Sequence, residues 1–573
     1  MFFGKLQELR QTRHRSEGFG GLNRREDCGA YEYARGENLS SRRYPLLTSR
    51  APRKVLTQTE APQGLLGRQT LLWVDGGEVW CGGSRVEGLV LSTLPAMCPK
   101  TMVAMGAYVV IFPDKVYVNT DDLTDFGNLE NRTSAQRAVC SLCFRDGTAI
   151  EPGWVGDQAP SEPAEGMYWL DTGETLTLRR FSVTWMEVAG VYVKLEAPGI
   201  GLGFSRFDGV QISGLEGLYA QKLNGSTVLE EVGENFLVIP GILPATAESP
   251  VAIARTVPQM DFVTECGNRL WGCRYGFTNG RTVNEIYACA LGDFKNWNRF
   301  QGLSTDSYAA SRGADGCFTG AITYQGSPLF FREGCIERVY PDAGGAHAIT
   351  VNNCRGVEKG SEKSLAIVDG LLFYKSPADI CSYDGSQPRC RSAALGEGRF
   401  RDAAAGSFGS RYYVSMTDEQ GQRDIYTYDL SCDLWHKESG QAVCFARAGG
   451  QLVMLDDRNR IVSLTEPGEE TVCWSLVTGR MGTGLPAGKY LRRVQAEVSL
   501  APGAKLRLSV SYDDSETFLL LRELENHGGL RTFRLPVMPG RCQFLRLRLE
   551  GQGEFTLHAL TMVLEEGSEV PWL

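Results

Sequence analysis

Seven glycines, Gly67, Gly106, Gly267, Gly326, Gly370, Gly409 and Gly450, each stand a few residues before a short apolar or aromatic run, and a second strand-like run follows. The runs include Leu71-Leu72-Trp73, Tyr108-Val109-Val110, Leu270-Trp271, Leu329-Phe330-Phe331, Leu371 to Tyr374, Tyr412-Tyr413-Val414 and Leu452-Val453-Met454. Five of the six spacings are 39, 59, 44, 39 and 41 residues; the sixth, from Gly106 to Gly267, is 161. A strand-built unit of about 40 residues cannot bury its apolar faces alone, but small sheets stacked around an axis can. The period therefore predicts an all-β chain with a β-propeller of six or seven blades.

Individual units support this reading. Around Gly370, Ser364–Val368, Leu371–Tyr374 and Ile380–Tyr383 read as successive strands, with Asp369-Gly370 supplying the positive φ of a tight hairpin. The Gly409 unit adds Leu434-Trp435-His436 as a fourth strand, and the Gly267 unit gives Leu270–Cys273, Glu285–Ala290 and Trp297-Asn298-Arg299. Dense apolar runs fit sheets covered on both faces.

The long spacing holds one blade and an insertion. Residues 121–260 carry strand signals at Leu176–Arg179, Val191–Leu195, Gly209–Ile212, Thr227–Leu229 and Phe236–Ile239, which predict a small β-barrel or sandwich. The propeller is then assigned to residues 61–120 and 261–470. Residues 471–573 alternate polar and apolar side chains, as in Arg546-Leu547-Arg548-Leu549, and predict a jelly-roll-like β-sandwich. Its Arg492, Arg493, Arg541, Arg546 and Arg548 read as a row able to dock an acidic partner, or as a solvated face. Residues 1–60 read as an extended, Arg-rich arm with a short helix over Phe2–Arg13, since glycine and proline then interrupt any regular element.

A net charge of −9 argues against a protein whose main task is gripping nucleic-acid phosphates. No apolar stretch is long enough for a membrane helix, and the N-terminus lacks the apolar core of a secretory signal. The 17 cysteines, an odd number, then read as reduced thiols. Cys140 and Cys143 form the only CxxC, without a second pair at metal-ligand spacing.

Tests for chemistry return little. The five histidines form no metal-spaced cluster, and HExxH, GxSxG and Walker patterns are absent. Asp121, Asp122 and Asp125 lack the regular spacing of a calcium loop. Asn38-Leu39-Ser40, Asn131-Arg132-Thr133 and Asn224-Gly225-Ser226 match the glycosylation pattern, which carries little weight in a chain read as lacking a secretory signal. Ser511-Tyr512-Asp513-Asp514-Ser515-Glu516-Thr517-Phe518 resembles the Asp-box hairpin of sialidase-type propellers, a folding element in that family. No residue is assigned as catalytic, cofactor-binding or metal-binding, and no cofactor is expected.

The order of parts resembles a family. The segment with Asn38-Leu39 and Tyr44-Pro45-Leu46-Leu47-Thr48-Ser49-Arg50, the propeller repeats, and the closing Arg541 to Glu550 followed by a strand at Phe555–Val563 are similar to the packaged-DNA stabilisation, or tail hub and nozzle, proteins of short-tailed bacteriophages. The inserted segment is where this chain departs from that pattern. The resemblance implies a structural virion protein without enzymatic activity. It would form a ring, often of six copies, that closes or extends the DNA exit channel beside portal, adaptor and other tail proteins. DNA would pass through the lumen without sequence-specific contact, no membrane would be involved, and the protein would reside in the virion and, during assembly, the host cytoplasm. The alternative is a carbohydrate-binding or glycoside-cleaving propeller protein, to which the Asp-box-like hairpin points.

Overall fold

The computed structural model describes residues 11–93, 99–278, 280–484, 488–525, 528–537 and 540–566. Those residues are all-β apart from three short 3-10 turns. Seven four-stranded antiparallel sheets form a β-propeller. Blade I begins at Pro62–Gly67, blade II at Thr101–Met105, blade III at Phe262–Glu265 and blade IV at Gly320–Tyr324. Blade V begins at Ala366–Val368, blade VI at Arg401–Phe408 and blade VII at Ala442–Ala448. These first strands neighbour one another around the ring, blade IV reaching V and VI through the 3-10 turn Glu362–Ser364, and blade VII returns to blade I.

Each of the seven glycines lies at the passage from the first to the second strand of a blade. In blade V, Asp369 (φ 46°) and Gly370 (φ 81°) both occupy the left-handed region that a two-residue hairpin of this twist requires. Gly67 acts differently: it has no positive φ, but a Cβ there would lie 2.2 Å from the Arg447 carbonyl oxygen of blade VII. Only glycine lets blades I and VII approach so closely.

The ring is closed by strand exchange between distant segments. Blade VII supplies three strands, and its outermost fourth is Lys54–Gln58, paired antiparallel with Arg460–Ser463. Blade III differs from the sequence expectation: its fourth strand is Tyr308–Ser311, not Trp297-Asn298-Arg299. Trp297 is 2% exposed and packs with Val257, Phe294 and Leu129, so its apolar character serves a buried loop.

Between blades II and III, a seven-stranded sheet from Asn131–Cys143 to Ala247–Arg255 curls around its own core, with Gly225–Val228 approaching Phe236–Pro240. A buried Arg255–Asp208 ion pair anchors it, because Asn296 of the blade III loop donates to Asp208 Oδ1 (3.0 Å) and accepts from Gly209 N (2.8 Å). A separate four-stranded sheet, Trp154–Gly156, Tyr168–Asp171, Thr177–Ser182 and Thr184–Glu187, projects from this insertion.

The C-terminal segment is a two-sheet, jelly-roll-like sandwich, but it is not built from that segment alone. Gln11–Ser16, Leu39–Ser40 and Leu47–Ser49 belong to one sheet, and Tyr33–Glu37 is the edge strand of the other. The expected N-terminal arm is thus largely sandwich, its polar stretches held by backbone pairing with strands more than 400 residues away. Of the helix read over Phe2–Arg13, residues 11–13 are strand and the rest lie outside the described residues. The five arginines do not form one row: Arg492, Arg493 and Arg541 lie in one sheet, Arg546 and Arg548 in the other. Phe19, Leu22, Tyr33, Leu39 and Leu47 join the sandwich core to Phe373, Tyr412, Tyr428 and Trp435 of blades V and VI as one apolar body.

Candidate functional site

The segment that carries the family resemblance is a polar rivet between propeller and sandwich. Asn38, buried at φ 60°, donates from Nδ2 to Cys473 O (2.7 Å). Its Oδ1 accepts from Arg50 Nε (2.8 Å), Ser439 N (2.9 Å) and Ser439 Oγ (3.0 Å). Arg50 forks onto Glu470, and Arg53 pairs with Glu438 of blade VI at 2.7 Å, with both side chains 9% exposed. Burial raises the cost of charge on Glu438, but Arg53 and Arg50 outweigh it and hold this carboxylate below its ordinary range. Next to it the Tyr33 hydroxyl meets His436 Nδ1, and burial pushes the imidazole down to about 4.

Beside the rivet lies a cleft of about 910 Å³, walled by the N-terminal segment, blade VI and the sandwich. Clefts between packed units are where ligands are commonly held. Its lining contains Arg24, Arg25, Arg35, Lys437, Arg480 and Arg546, against two carboxylates, Glu26 and Glu37. Four of the six cations have ion-pair partners: Arg25 pairs with Asp27, Lys437 with Asp424, and Arg480 and Arg546 share the single carboxylate of Asp514. Arg24 lies over the Tyr426 ring and donates to its hydroxyl (3.3 Å), and neither Arg24 nor Arg35 has an ion pair among the described residues. A chain of net charge −9 thus concentrates guanidinium groups in one concavity, a geometry that suits carboxylate or phosphate groups of a partner.

Local chemistry explains the shape of this site. Glu32 accepts from Asn23 Nδ2 (2.8 Å) and Gly29 N (2.6 Å), folding residues 23–29 into the loop that presents Arg24 and Arg25. Burial, reinforced by Glu32, pushes the Cys28 thiol up to about 11, so it is protonated and a poor nucleophile at neutral pH. The Asp-box-like hairpin positions the opposite wall. Asp513 accepts from Gln543 N and Phe544 N, leaving Asp514 to hold Arg480 and Arg546.

Other candidates from the sequence are dispersed. Asp122 caps Thr124, while Asp125 accepts from Tyr108 and Asn119, so the three aspartates share no centre. Cys140 and Cys143 are both fully buried on one strand, where burial pushes each up to about 11. Among the described residues no group of three or more His, Cys, Asp or Glu side chains is placed to hold a metal ion. Glycoside cleavage needs two carboxyl groups across the scissile bond. The seven innermost strands carry only Glu265, at the end of its strand, and Asp402, near the start of its own.

No protein-family model and no curated protein matches the sequence. Solved structures that align include exo-β-1,3-galactanase from Phanerochaete chrysosporium, at 7% identity over 52% of this chain and 94% of that one, with a TM-score of 0.20. A family 43 arabinoxylan arabinofuranohydrolase from Bacillus subtilis aligns at 11% identity over 65% and 93%, with a TM-score of 0.15. PorZ, a surface component of the type-IX secretion system of Porphyromonas gingivalis, aligns at 10% identity over 82% and 77%, with a TM-score of 0.22. The expectation of a chain without enzymatic activity is corrected by the glycoside hydrolases among these structures. At such scores the alignments say nothing about substrate, and none bears on the phage-tail resemblance.

Proposed function

We propose that this protein is a structural component of a tailed-bacteriophage virion, a tail hub or nozzle subunit that docks an acidic surface of a neighbouring subunit in the basic cleft. The observation that carries the reading is the fate of the resemblance-bearing residues. Asn38 and Arg50 bind propeller to sandwich, and the same N-terminal segment floors the cleft with Arg24, Arg25 and Arg35. A rigid β-body with a basic concavity suits repeated contact within a ring, and charge complementarity would set partner and orientation. Copies of the chain, portal or adaptor proteins are the partners this implies.

Sedimentation and negative-stain microscopy, with the protein alone and mixed with a phage portal complex, test the proposal. Rings, or joining of the portal complex, are expected at low salt. Arg24→Glu with Arg35→Glu should abolish both while leaving the far-ultraviolet circular dichroism of the folded chain unchanged. A parent that stays monomeric alone and with portal, or a double variant that assembles normally, refutes the reading. A second reading, a carbohydrate-binding or glycoside-cleaving propeller, is the one to which the Asp-box-like hairpin Ser511–Phe518 points. Release of aryl alcohol from aryl glycosides would support its cleaving form.

A further inference from the structure

Blade V holds the one place among the described residues where strand register sets a cysteine opposite a cysteine. Its third strand, Ile380–Tyr383, pairs antiparallel with its outermost, Arg389–Cys390, so that Cys381 faces Cys390 and Ser382 faces Arg389. Arg391 N donates to Ile380 O (2.8 Å). Hydrogen-bonded and non-hydrogen-bonded pairs alternate along an antiparallel ladder. Residues 380 and 391 share a ladder bond, so the next pair, Cys381 and Cys390, is of the non-hydrogen-bonded kind. Such pairs bring their Cα atoms to about 4.5 Å and their side chains closest together on one face. A disulfide spans Cα separations of about 4.4–6.8 Å. The sulfurs converge as well: Asp379 Oδ1 accepts from Cys381 Sγ (3.2 Å), and the same carboxylate accepts from the Cys390 thiol. Cys381 is 0% exposed and Cys390 is exposed, so a reagent from solvent meets Cys390 first.

From this register and this shared acceptor we infer that Cys381 and Cys390 are an oxidation site, which a low-molecular-weight disulfide closes into a cross-strand bond stapling the outermost strand of blade V. The Cys390 thiolate attacks the reagent RSSR, forming a mixed disulfide and releasing RS⁻. The Cys381 sulfur then attacks the Cys390 sulfur and the second RS⁻ leaves. The two thiol protons end on two RSH, and the two protein sulfurs have given two electrons to one reagent disulfide. Burial pushes the Cys381 thiol up to about 12, and burial with the Asp379 hydrogen bond raises that of Cys390, so both rest as thiols at neutral pH. The pair therefore stays reduced in a reducing cytoplasm and closes on passing into oxidising surroundings. On the phage reading, release from the host makes that passage. The hairpin tip between the two strands carries contacts to blade IV: Gln325 Nε2 donates to Asp384 O (3.1 Å) and Asn352 Nδ2 to Ser386 O (2.8 Å). A covalent bond at the base of this hairpin holds its tip against blade IV, where a two-residue strand alone opens readily.

The inference requires neither the ring nor sugar binding, and its test reads neither. The full chain, reduced and then freed of reductant, is incubated with oxidised glutathione at mildly alkaline pH, alkylated, cut with trypsin and mapped by mass spectrometry without reduction. Peptides 376–389 and 390–391 should appear joined, lighter by two hydrogens than the sum of their thiol forms. Native-state hydrogen exchange over residues 384–392 should slow about tenfold or more on oxidation of the parent, since the bond closes a short loop. Cys390→Ser should show neither the joined peptides nor the slowing. It alters an exposed side chain and should keep the far-ultraviolet circular dichroism of the parent. Cys390 left as its glutathione adduct, or joined to any cysteine other than Cys381, overturns the inference. Oxidised protein in which residues 384–392 exchange as fast as in reduced protein overturns it too.

Discussion

Replacing Asn38 should loosen the junction between propeller and sandwich far more than its small side chain suggests. Alanine would remove the acceptor of Arg50 Nε and Ser439 N, and the donor to Cys473 O, at a backbone position of φ 60°. Ser439 Oγ can rotate to another partner, and Cys473 is exposed so that water can reach its carbonyl. Two donors, the buried Arg50 Nε and the half-buried Ser439 N, remain unsatisfied at about 1–3 kcal/mol each. The left-handed backbone costs alanine about 1 kcal/mol more, placing Asn38→Ala near 4 kcal/mol. Asn38→Gly removes the backbone part and should cost about 1 kcal/mol less. Asn38→Asp keeps the acceptor and should be the mildest of the three.

A chain of several packed units has no single unfolding free energy. The assay is therefore native-state hydrogen exchange, read on peptides covering Leu47–Ser49 and Cys473–Thr478, whose strands flank the rivet. About 4 kcal/mol corresponds to exchange nearly a thousandfold faster in the alanine variant. Acceleration below about tenfold, equivalent to 1.4 kcal/mol, or glycine exchanging faster than alanine, would refute the account of Asn38 as a buried hydrogen-bonding hub.

Two further outcomes follow from the same packing. His436 is held neutral with its folded value near 4, so the unfolded chain takes the proton first as pH falls. Stability from this group is present above about 6.5 and lost as pH drops towards 4, by about 3 kcal/mol in all. Native-state hydrogen exchange on the strand Leu434–Glu438, corrected for intrinsic rates at each pH, should accelerate more steeply with falling pH in the parent than in His436→Gln, and equal slopes would show that His436 is not the titrating group. Gly67→Ala must displace the Arg447 backbone and should destabilise by about 1–3 kcal/mol. At Gly370, where no atom lies within 4 Å of the place a methyl group would take, alanine should cost only the φ term, about 1 kcal/mol. Thermal unfolding of the two variants checks the order.

What could be read from the chain was local. Asp369-Gly370 demands a tight turn whatever surrounds it, and runs such as Leu371 to Tyr374 are apolar enough to declare a covered strand. Seven repeats of that grammar made a propeller legible before any pairing was known. Trp297 shows the limit: its apolar side chain looks like strand and is instead a buried loop anchor, because burial alone does not distinguish the two. Which backbone pairs with which is a separate matter, since ladder hydrogen bonds use groups that every residue carries. Only the tertiary structure decided that Lys54–Gln58 closes blade VII, and that the Arg-rich beginning of the chain forms strands of the C-terminal sandwich. The candidate cleft depends wholly on that choice: Arg24 and Arg35 meet Arg480 and Arg546 across hundreds of residues, and no local spacing encodes such a meeting.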